Sequence, residues 1–216
     1  IFHQEKALQE NNELAGILNF NMGLSKQLNY YETPEPFFTH TIKPYDEKTG
    51  VNILISENKD TWYTLRKIMK PSSSKLCGID FNILLYGEGK KINRKYDTLT
   101  DFDKIALDGL NCRYYYIGDI DYEGIGIFNE LMELSPELHI ELMTPLYRIM
   151  LEKSRGITLP ITKDKQIESD LEGFLAGFEP QYKNLIVELL HDRRYIPQEI
   201  LNYCDFLKML EVREDE

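Results

Sequence analysis

Short apolar runs alternate with helix-forming segments through the middle of this chain. Four such runs occur, at 51–55, 81–86, 113–117 and 138–143. Apolar runs of this length, rich in β-branched and aromatic residues, indicate buried strands. Helical spacing of apolar residues follows each run, over 58–69, 100–110, 123–134 and 145–153. This strict alternation predicts an α/β fold with a central parallel sheet, right-handed crossovers and flanking helices.

Both ends of the chain differ from this alternating middle. The proline-containing sequence at 33–36 is typical of a stiff connector, and we expect a boundary near Gly50. The segments 179–194 and 198–210 have the spacing of two amphipathic helices. We therefore predict three parts: a helical segment and linker over 1–50 that ends a longer upstream region, an α/β domain over 51–155, and a helical extension over 156–216.

Composition excludes several classes of protein. The chain has 216 residues, of which 42% are hydrophobic and 28% charged, as in globular proteins and unlike disordered ones. No apolar run approaches the roughly 20 residues of a membrane helix. Cys77, Cys112 and Cys204 have no metal-ligand spacing, so we expect no disulfide framework, no paired-cysteine zinc site and a reducing, cytoplasmic compartment. The chain begins with Ile and shows no leader sequence, so we expect a piece or processed form of something longer.

Acidic residues follow two of the predicted strands where each strand ends. Glu57 follows the first strand, and Asp119, Asp121 and Glu123 follow the third. Because the carboxyl ends of parallel strands meet at one edge of the sheet, these side chains are expected to lie close together. Clustered carboxylates raise one another's pKa unless a cation neutralises them. Oxygen ligands without His or Cys suit Mg²⁺ or Mn²⁺, and such ions take further ligands from water and phosphate.

The second predicted strand ends in a glycine turn followed by basic residues. Glycines let the backbone approach a phosphate closely, and exposed N–H groups in such turns bind anions. The candidates for phosphate or DNA contact are Gly87, Gly89, Lys90, Lys91 and Arg94. A solvated helix end is the alternative interpretation of the basic run. The net charge of −11 argues against a free-standing electrostatic binder of nucleic acid, but it does not exclude a local basic patch.

These motifs resemble those of the TOPRIM domain of topoisomerases, primases and some nucleases. The matching strings are I-L-I-S-E, which ends in Glu57, L-L-Y-G-E-G, which contains Gly87, and G-D-I-D-Y-E-G, which contains Asp119. The longer strings S-E-N-K-D-T-W and I-G-D-I-D-Y-E-G-I-G-I-F are more similar still to the C-terminal region of the JetD family. That family supplies the nuclease subunit of the bacterial Wadjet plasmid-defence system and resembles the topoisomerase VI A subunit. The resemblance covers 50–160 well and 160–210 loosely.

The resemblance implies a TOPRIM fold, which is Rossmann-like, and metal-dependent cleavage of DNA. It implies that Mg²⁺ or Mn²⁺ is held by Glu57, Asp119 and Asp121, with Glu123 as a further ligand. Glu57 is alternatively a general base. The partners that it implies are DNA, SMC-like subunits of a defence complex and, by analogy with the topoisomerase VI A subunit, a second copy of the chain.

Other functions stay open at this point. An Asp-x-Asp in a turn often only caps a helix, and the chain would then be a non-catalytic TOPRIM-like interaction module in a DNA-bound assembly. A topoisomerase-type strand-passage subunit would carry its tyrosine upstream. A phosphatase using Asp119 as nucleophile would normally have that motif after its first strand, and Glu57 would have no role. For Gln198 and Glu199 capping is the ordinary explanation, although the family resemblance brings Glu199 towards the acidic residues.

Overall fold

A five-stranded sheet lies at the centre of the part of the chain that the structure describes. The computed structural model describes residues 35–45, 50–162, 166 and 168–211. The strands are β1 Phe38–Thr41, β2 Val51–Ser56, β3 Lys75–Leu76, β4 Ile79–Asp80, β5 Ile83–Tyr86, β6 Cys112–Ile117, β7 His139–Leu142 and β8 Leu210–Glu211. The order in the central sheet is β1-β5-β2-β6-β7, and all neighbours are parallel except the pair β1 and β5. A small antiparallel sheet has the order β4-β3-β8.

Helices connect and flank these strands. They are α1 Lys59–Ile68, α2 Leu99–Ala106, α3 Tyr122–Leu134, α4 Thr144–Lys153, α5 Glu172–Ala176, α6 Pro180–His191 and α7 Tyr203–Met209. Short 3-10 helices span Pro71–Ser73, Gly89–Asn93 and Gln198–Ile200. The predicted α/β class, with a mostly parallel Rossmann-like sheet and a helical C-terminal part, is confirmed. None of the helices in the described part of the chain has the length and apolar character needed to cross a bilayer.

The order of the parallel strands creates a topological switch point. The chain passes from β2 to β5 on one side, and then crosses to β6 on the other side of β2. In open α/β sheets of this order, ligands bind at the carboxyl ends of the two strands between which the direction reverses. Here these strands are β2 and β6. Ser56 pairs with both Tyr86 of β5 and Ile117 of β6, so the three strands end at the same level.

Burial on both faces explains the continuous apolar runs. Ile53, Leu54 and Ile55 are consecutive in β2 and all are fully buried, although neighbouring side chains point to opposite faces. The three tyrosines 114–116 of β6 are buried in the same way. The hydroxyl groups of two of them reach acidic partners: Tyr114 donates to Asp103, and Tyr116 donates to Glu57.

Several features differ from the sequence prediction, among them the small antiparallel sheet and α5, which were not predicted. The edge strand β1 was not predicted, because its mostly exposed residues lack an apolar run; it lies upstream of the boundary expected near Gly50. The helix expected over 198–210 is interrupted, because Asn202 takes an extended conformation and caps α7. The helix expected from Thr100 is capped two residues earlier, by a capping box of Thr98 and Asp101. The helical segment expected over 1–31 lies outside the described residues.

Candidate active site

The structure brings the predicted acidic residues to the switch point between β2 and β6. Glu57 directly follows β2, and its backbone N–H bonds to the carbonyl of Ile117 at the end of β6. Asp119 and Asp121 follow β6 after Gly118. The charges of Asp119, Asp121 and Glu123 all act on Glu57, which shows that the four side chains share one edge of the sheet. The spatial grouping expected from the sequence is therefore present.

Glu57 is partly buried, and its carboxylate is poorly solvated. Burial raises the pKa of Glu57 to about 7, and the neighbouring charges of Asp119, Asp121 and Glu123 act in the same direction. One hydrogen bond opposes this shift: the hydroxyl of Tyr116 donates to Glu57 Oε2 over 2.6 Å. Tyr116 is fully buried, so its hydroxyl is held in place by the core beneath the site. Glu57 thus changes its protonation near neutral pH.

Gly118 provides the space that the Glu57 carboxylate occupies. A Cβ atom at residue 118 would lie 2.2 Å from Glu57 Oε2 and 3.1 Å from the Tyr116 hydroxyl. The N–H of Gly118 donates to the hydroxyl of the buried Tyr147 over 2.8 Å, which fixes the backbone at the end of β6. The glycine before Asp119 is therefore required by close approach between two strand ends.

Asp119 is held by the C-terminal part of the chain. The backbone N–H of Gln198 donates to Asp119 Oδ1 over 2.7 Å. Burial nevertheless raises the pKa of Asp119 to about 6, and the charges of Asp121, Glu199 and Glu123 add to the shift. The electrostatic effect of Glu199 on Asp119 agrees with the expected approach of Glu199 to the acidic residues.

Asp121 caps a helix and also belongs to the acidic group. Its Oδ1 accepts the N–H of Gly124 over 2.7 Å at the first turn of α3. Its Oδ2 accepts from Gln166 Nε2 over 2.6 Å, and the residue is only 7% exposed. Asp121 is therefore both the helix cap and a member of the acidic group, so these two interpretations do not exclude each other. The more exposed Glu123 instead pairs with Lys90 over 2.9 Å.

A metal ion would need some of these carboxylates to change partners. Among the residues that the structure describes, no three Asp, Glu, His or Cys side chains are grouped so that they hold a metal ion as they stand. The donor set nonetheless fits a hard cation, because it contains only oxygen ligands and two of them are destabilised in their charged form. Mg²⁺ commonly takes one or two carboxylates, and water and phosphate complete its shell.

The glycine turn lies beside these acids. A Cβ atom at Gly87 would be 3.3 Å from Ile55 Cγ2, so the turn packs closely on β2. Glu88 and Gly89 both have positive φ, which orients the 3-10 helix that follows. Asn93 at its end donates to the carbonyl of Ile127 in α3 over 2.9 Å. The segment after β5 is therefore fixed against β2 at its start and against α3 at its end.

The predicted basic run is partly neutralised by its neighbours. Lys90 pairs with Glu123, and Lys91 pairs with Glu88. The Arg94 guanidinium stacks over Phe37, 3.6 Å from the ring centroid, and pairs with Asp97 over 3.2 Å. Lys90 and Lys91 keep most of their side chains in solvent, whereas Arg94 is largely covered. Their contact with DNA stays a prediction, and the surroundings of Arg94 favour a structural role.

Sequence reasoning missed the polar residues that support the acids. Tyr116 reads as part of an apolar strand, and Gln198 reads as the start of a helix. In the structure Gln198 is fully buried and bonds to both strand ends. The string P-Q-E-I-L, which contains Gln198, was its only signal, as a weak part of the family resemblance.

Fold and site together define a Rossmann-like α/β protein with an acidic site at its topological switch point. A family model described as Wadjet protein JetD, C-terminal, matches residues 43–210. The chain therefore belongs to the JetD C-terminal family, which confirms the resemblance inferred from the motifs. The match includes β2, β5, β6, β7 and the segment that carries Gln198. No curated protein matches the chain.

Proposed function

We propose that this chain is the nuclease part of a Wadjet defence complex and hydrolyses phosphodiester bonds of DNA with Mg²⁺ or Mn²⁺. The observation that carries the proposal is the pair of partly buried carboxylates, Glu57 and Asp119, on the two sides of the switch point. Burial and the neighbouring charges raise the pKa of both. Membership of the JetD family supports a role in a multi-subunit defence complex.

Each acid has a distinct part in this proposal. Glu57, Asp119 and Asp121 hold the cation, and Glu123 is a further ligand once it leaves Lys90. The bound cation supplies Lewis-acid stabilisation of the phosphate and lowers the pKa of an attacking water. Glu57 is alternatively the general base, because a carboxyl with a pKa of about 7 accepts a proton near neutrality.

DNA is held by its backbone in this proposal. The N–H of Gly87 is already bonded to the carbonyl of Ser56 over 2.8 Å. Gly89 therefore offers the backbone N–H to a phosphate, and Lys90 and Lys91 offer positive charge. Contacts of this kind carry no sequence information. Choice of the DNA substrate then belongs to partners, which we propose to be SMC-like subunits and a second copy of the chain.

The first test is binding of Mn²⁺ to the purified chain, measured by calorimetry. We expect binding by the wild type and its loss in Asp119→Asn/Asp121→Asn. The control Asp108→Asn/Glu137→Gln removes the same charge from exposed positions next to the amino ends of β6 and β7. We expect this control to bind as the wild type does. If both double variants lost Mn²⁺ binding equally, net charge alone would explain the loss, and this would contradict the proposed site.

Plasmid cleavage then tests the reaction itself. We expect nicked or linear plasmid with the wild type in Mn²⁺, alone or with its complex partners, and none with Asp119→Asn/Asp121→Asn. Cation binding without any cleavage in the complete complex would exclude a nuclease. A DNA end covalently joined to protein would instead indicate strand passage by a tyrosine.

A second candidate function is a non-catalytic interaction module. It is favoured by the protein partners of the acids. Tyr116, the Gln198 backbone and Lys90 satisfy one oxygen of Glu57, Asp119 and Glu123, in that order. Both oxygens of Asp121 are satisfied, by Gly124 and Gln166. A wild-type chain that binds no Mn²⁺, with or without a short DNA duplex, would favour this module over the nuclease.

A further inference from the structure

Gln198 is a fully buried polar residue in a short 3-10 helix, far along the chain from the residues it contacts. A buried amide is costly unless its hydrogen bonds are satisfied. Gln198 Nε2 donates to Ser56 Oγ over 3.0 Å, and its Oε1 accepts the N–H of Asn58 over 3.1 Å. Its own N–H donates to Asp119 Oδ1 over 2.7 Å. Side chain and backbone of this one residue therefore bind both sides of the switch point.

These contacts enclose Glu57. Ser56 and Asn58 are its two chain neighbours, so the amide of Gln198 holds the side chain before this acid and the backbone after it. The N–H of Gln198 at the same time holds the Asp119 carboxylate. Glu57 and Asp119 come from different strands and repel each other when both are charged. A rigid link between them opposes that repulsion and keeps their separation constant.

The segment that carries Gln198 is itself anchored beside the site. Ile120 and Ile196 exchange two backbone hydrogen bonds, of 2.9 and 3.2 Å. Glu199, the residue after Gln198, accepts a hydrogen bond from Asn58 Nδ2 over 2.7 Å. Gln198 is thus fixed from both directions along the chain. Such support makes its position a property of the fold before any ligand binds.

We infer that Gln198 is a positioning residue that sets the separation of the Glu57 and Asp119 carboxylates for a divalent cation. This inference rests on the proposed function, since it concerns the same site. Gln198 does not act on the cation directly, because its amide is bonded to Ser56 and Asn58. Residues that orient metal ligands in this way typically change metal affinity by about 10- to 100-fold when they are replaced.

The test compares Gln198→Met with a control at the opposite end of β2. Met keeps the volume and the backbone N–H of residue 198 but removes both side-chain hydrogen bonds. The control is Asn82→Leu, because buried Asn82 holds the N–H of Asn52 with its side chain, over 3.0 Å. Mn²⁺ affinity is measured by calorimetry, and urea unfolding measures the stability of each variant.

We expect Gln198→Met to bind Mn²⁺ at least about 10-fold more weakly than the wild type. Asn82→Leu should keep the wild-type affinity at a comparable loss of stability. The milder Ser56→Ala removes one hydrogen bond of Gln198 and should give an intermediate Mn²⁺ affinity. This variant also tests the inference if Gln198→Met does not fold. Equal affinity in the wild type, Ser56→Ala and any folded Gln198→Met overturns this inference and leaves the proposed function intact. No binding by the wild type overturns both.

Discussion

Glu57 is a carboxyl group placed where its charge is poorly solvated. Among the described residues, the phenol of Tyr116 is the one that donates a hydrogen bond to its carboxylate, and the surrounding acids add negative potential. A native structure that raises the pKa of an acid loses stability when that acid ionises. The position therefore costs stability when Glu57 is charged, which is typical of residues kept for binding or catalysis.

The pH dependence of stability follows from this cost. The folded chain binds more protons than the unfolded chain between pH 4.5 and about 7, because the pKa of Glu57 is raised over that interval. The free energy of unfolding should therefore fall as the pH rises through this range, by about 2–3 kcal/mol from Glu57. Asp119, with a pKa of about 6, acts in the same direction at lower pH. Urea unfolding at several pH values measures the slope.

Glu57→Gln isolates the contribution of this one group. The amide does not ionise, so we expect the slope to flatten between pH 4.5 and about 7. Glu172→Gln, on the exposed first turn of α5, should leave the slope unchanged. A profile of Glu57→Gln that coincides with that of the wild type would contradict the assigned pKa of Glu57.

Gly118→Ala tests the close approach of the two strand ends. The added methyl group would displace the Glu57 carboxylate from Tyr116, since only 2.2 Å is available. We expect a loss of about 1–3 kcal/mol in unfolding free energy, typical of overpacking, together with weaker Mn²⁺ binding. Gly173→Ala is the matched control, because its Cβ would meet only Asn129 Oδ1, at 3.9 Å. Wild-type stability and Mn²⁺ affinity in Gly118→Ala would show that Glu57 does not need this space.

Helix α3 begins at an acid that is also a proposed ligand. Asp121 satisfies the N–H of Gly124, and its charge is favourable at the positive end of the helix dipole. The first turn of α3 therefore positions Asp121 within the acidic group. A cation ligand and a helix cap are compatible here because the two oxygens of Asp121 have different partners.

Two substitutions of Asp121 separate these contributions. Asn is a good cap but carries no charge, whereas Ala provides neither. We expect Asp121→Ala to be about 1 kcal/mol less stable than Asp121→Asn, with Mn²⁺ binding weakened in both. Urea unfolding and calorimetry on the same samples check this. Equal stability of the two variants would mean that the capping bond contributes nothing measurable to α3.

The whole molecule carries a net charge of −11, which opposes binding to DNA at long range. We therefore expect the isolated chain to bind a labelled duplex only weakly, with a Kd of about 10⁻⁵ M or above near physiological salt. Fluorescence anisotropy at several salt concentrations measures this. Tight binding by the isolated chain would contradict recruitment to DNA by partner subunits.

The same titration tests the proposed contact of Lys90 with DNA. Loss of one phosphate contact lowers the slope of log affinity against log salt by about 1. We expect this change for Lys90→Ala. Lys104→Ala removes the same charge from an exposed pair with Glu137, near the amino end of β7, and should leave the slope unchanged. Identical slopes for the two variants would remove Lys90 from the DNA contacts.

Local patterns were sufficient to predict the four parallel strands of the central sheet and the acids at its edge. Burial on both faces requires unbroken apolar runs, so Ile53 to Ile55 mark β2 without knowledge of the rest of the chain. Parallel pairing then places whatever follows each strand at one edge, which is why Glu57, Asp119 and Asp121 were identified correctly as neighbours. Both inferences depend on periodicity and chain direction, which are local properties.

Contacts between segments that are distant in the sequence could not be predicted from such local patterns. Gln198 and Ser56 are 142 positions apart, and a polar residue gives no sign of being buried until its partners are known. From the sequence, the basic run after Gly89 was a candidate for DNA contact. In the structure, Lys90 pairs with Glu123 and Arg94 stacks on Phe37. Patterns along the chain determine which elements form and where the acids emerge. The partners, protonation and support of those acids arise only when the folded chain brings remote residues together, because hydrogen bonds and desolvation depend on distance in space.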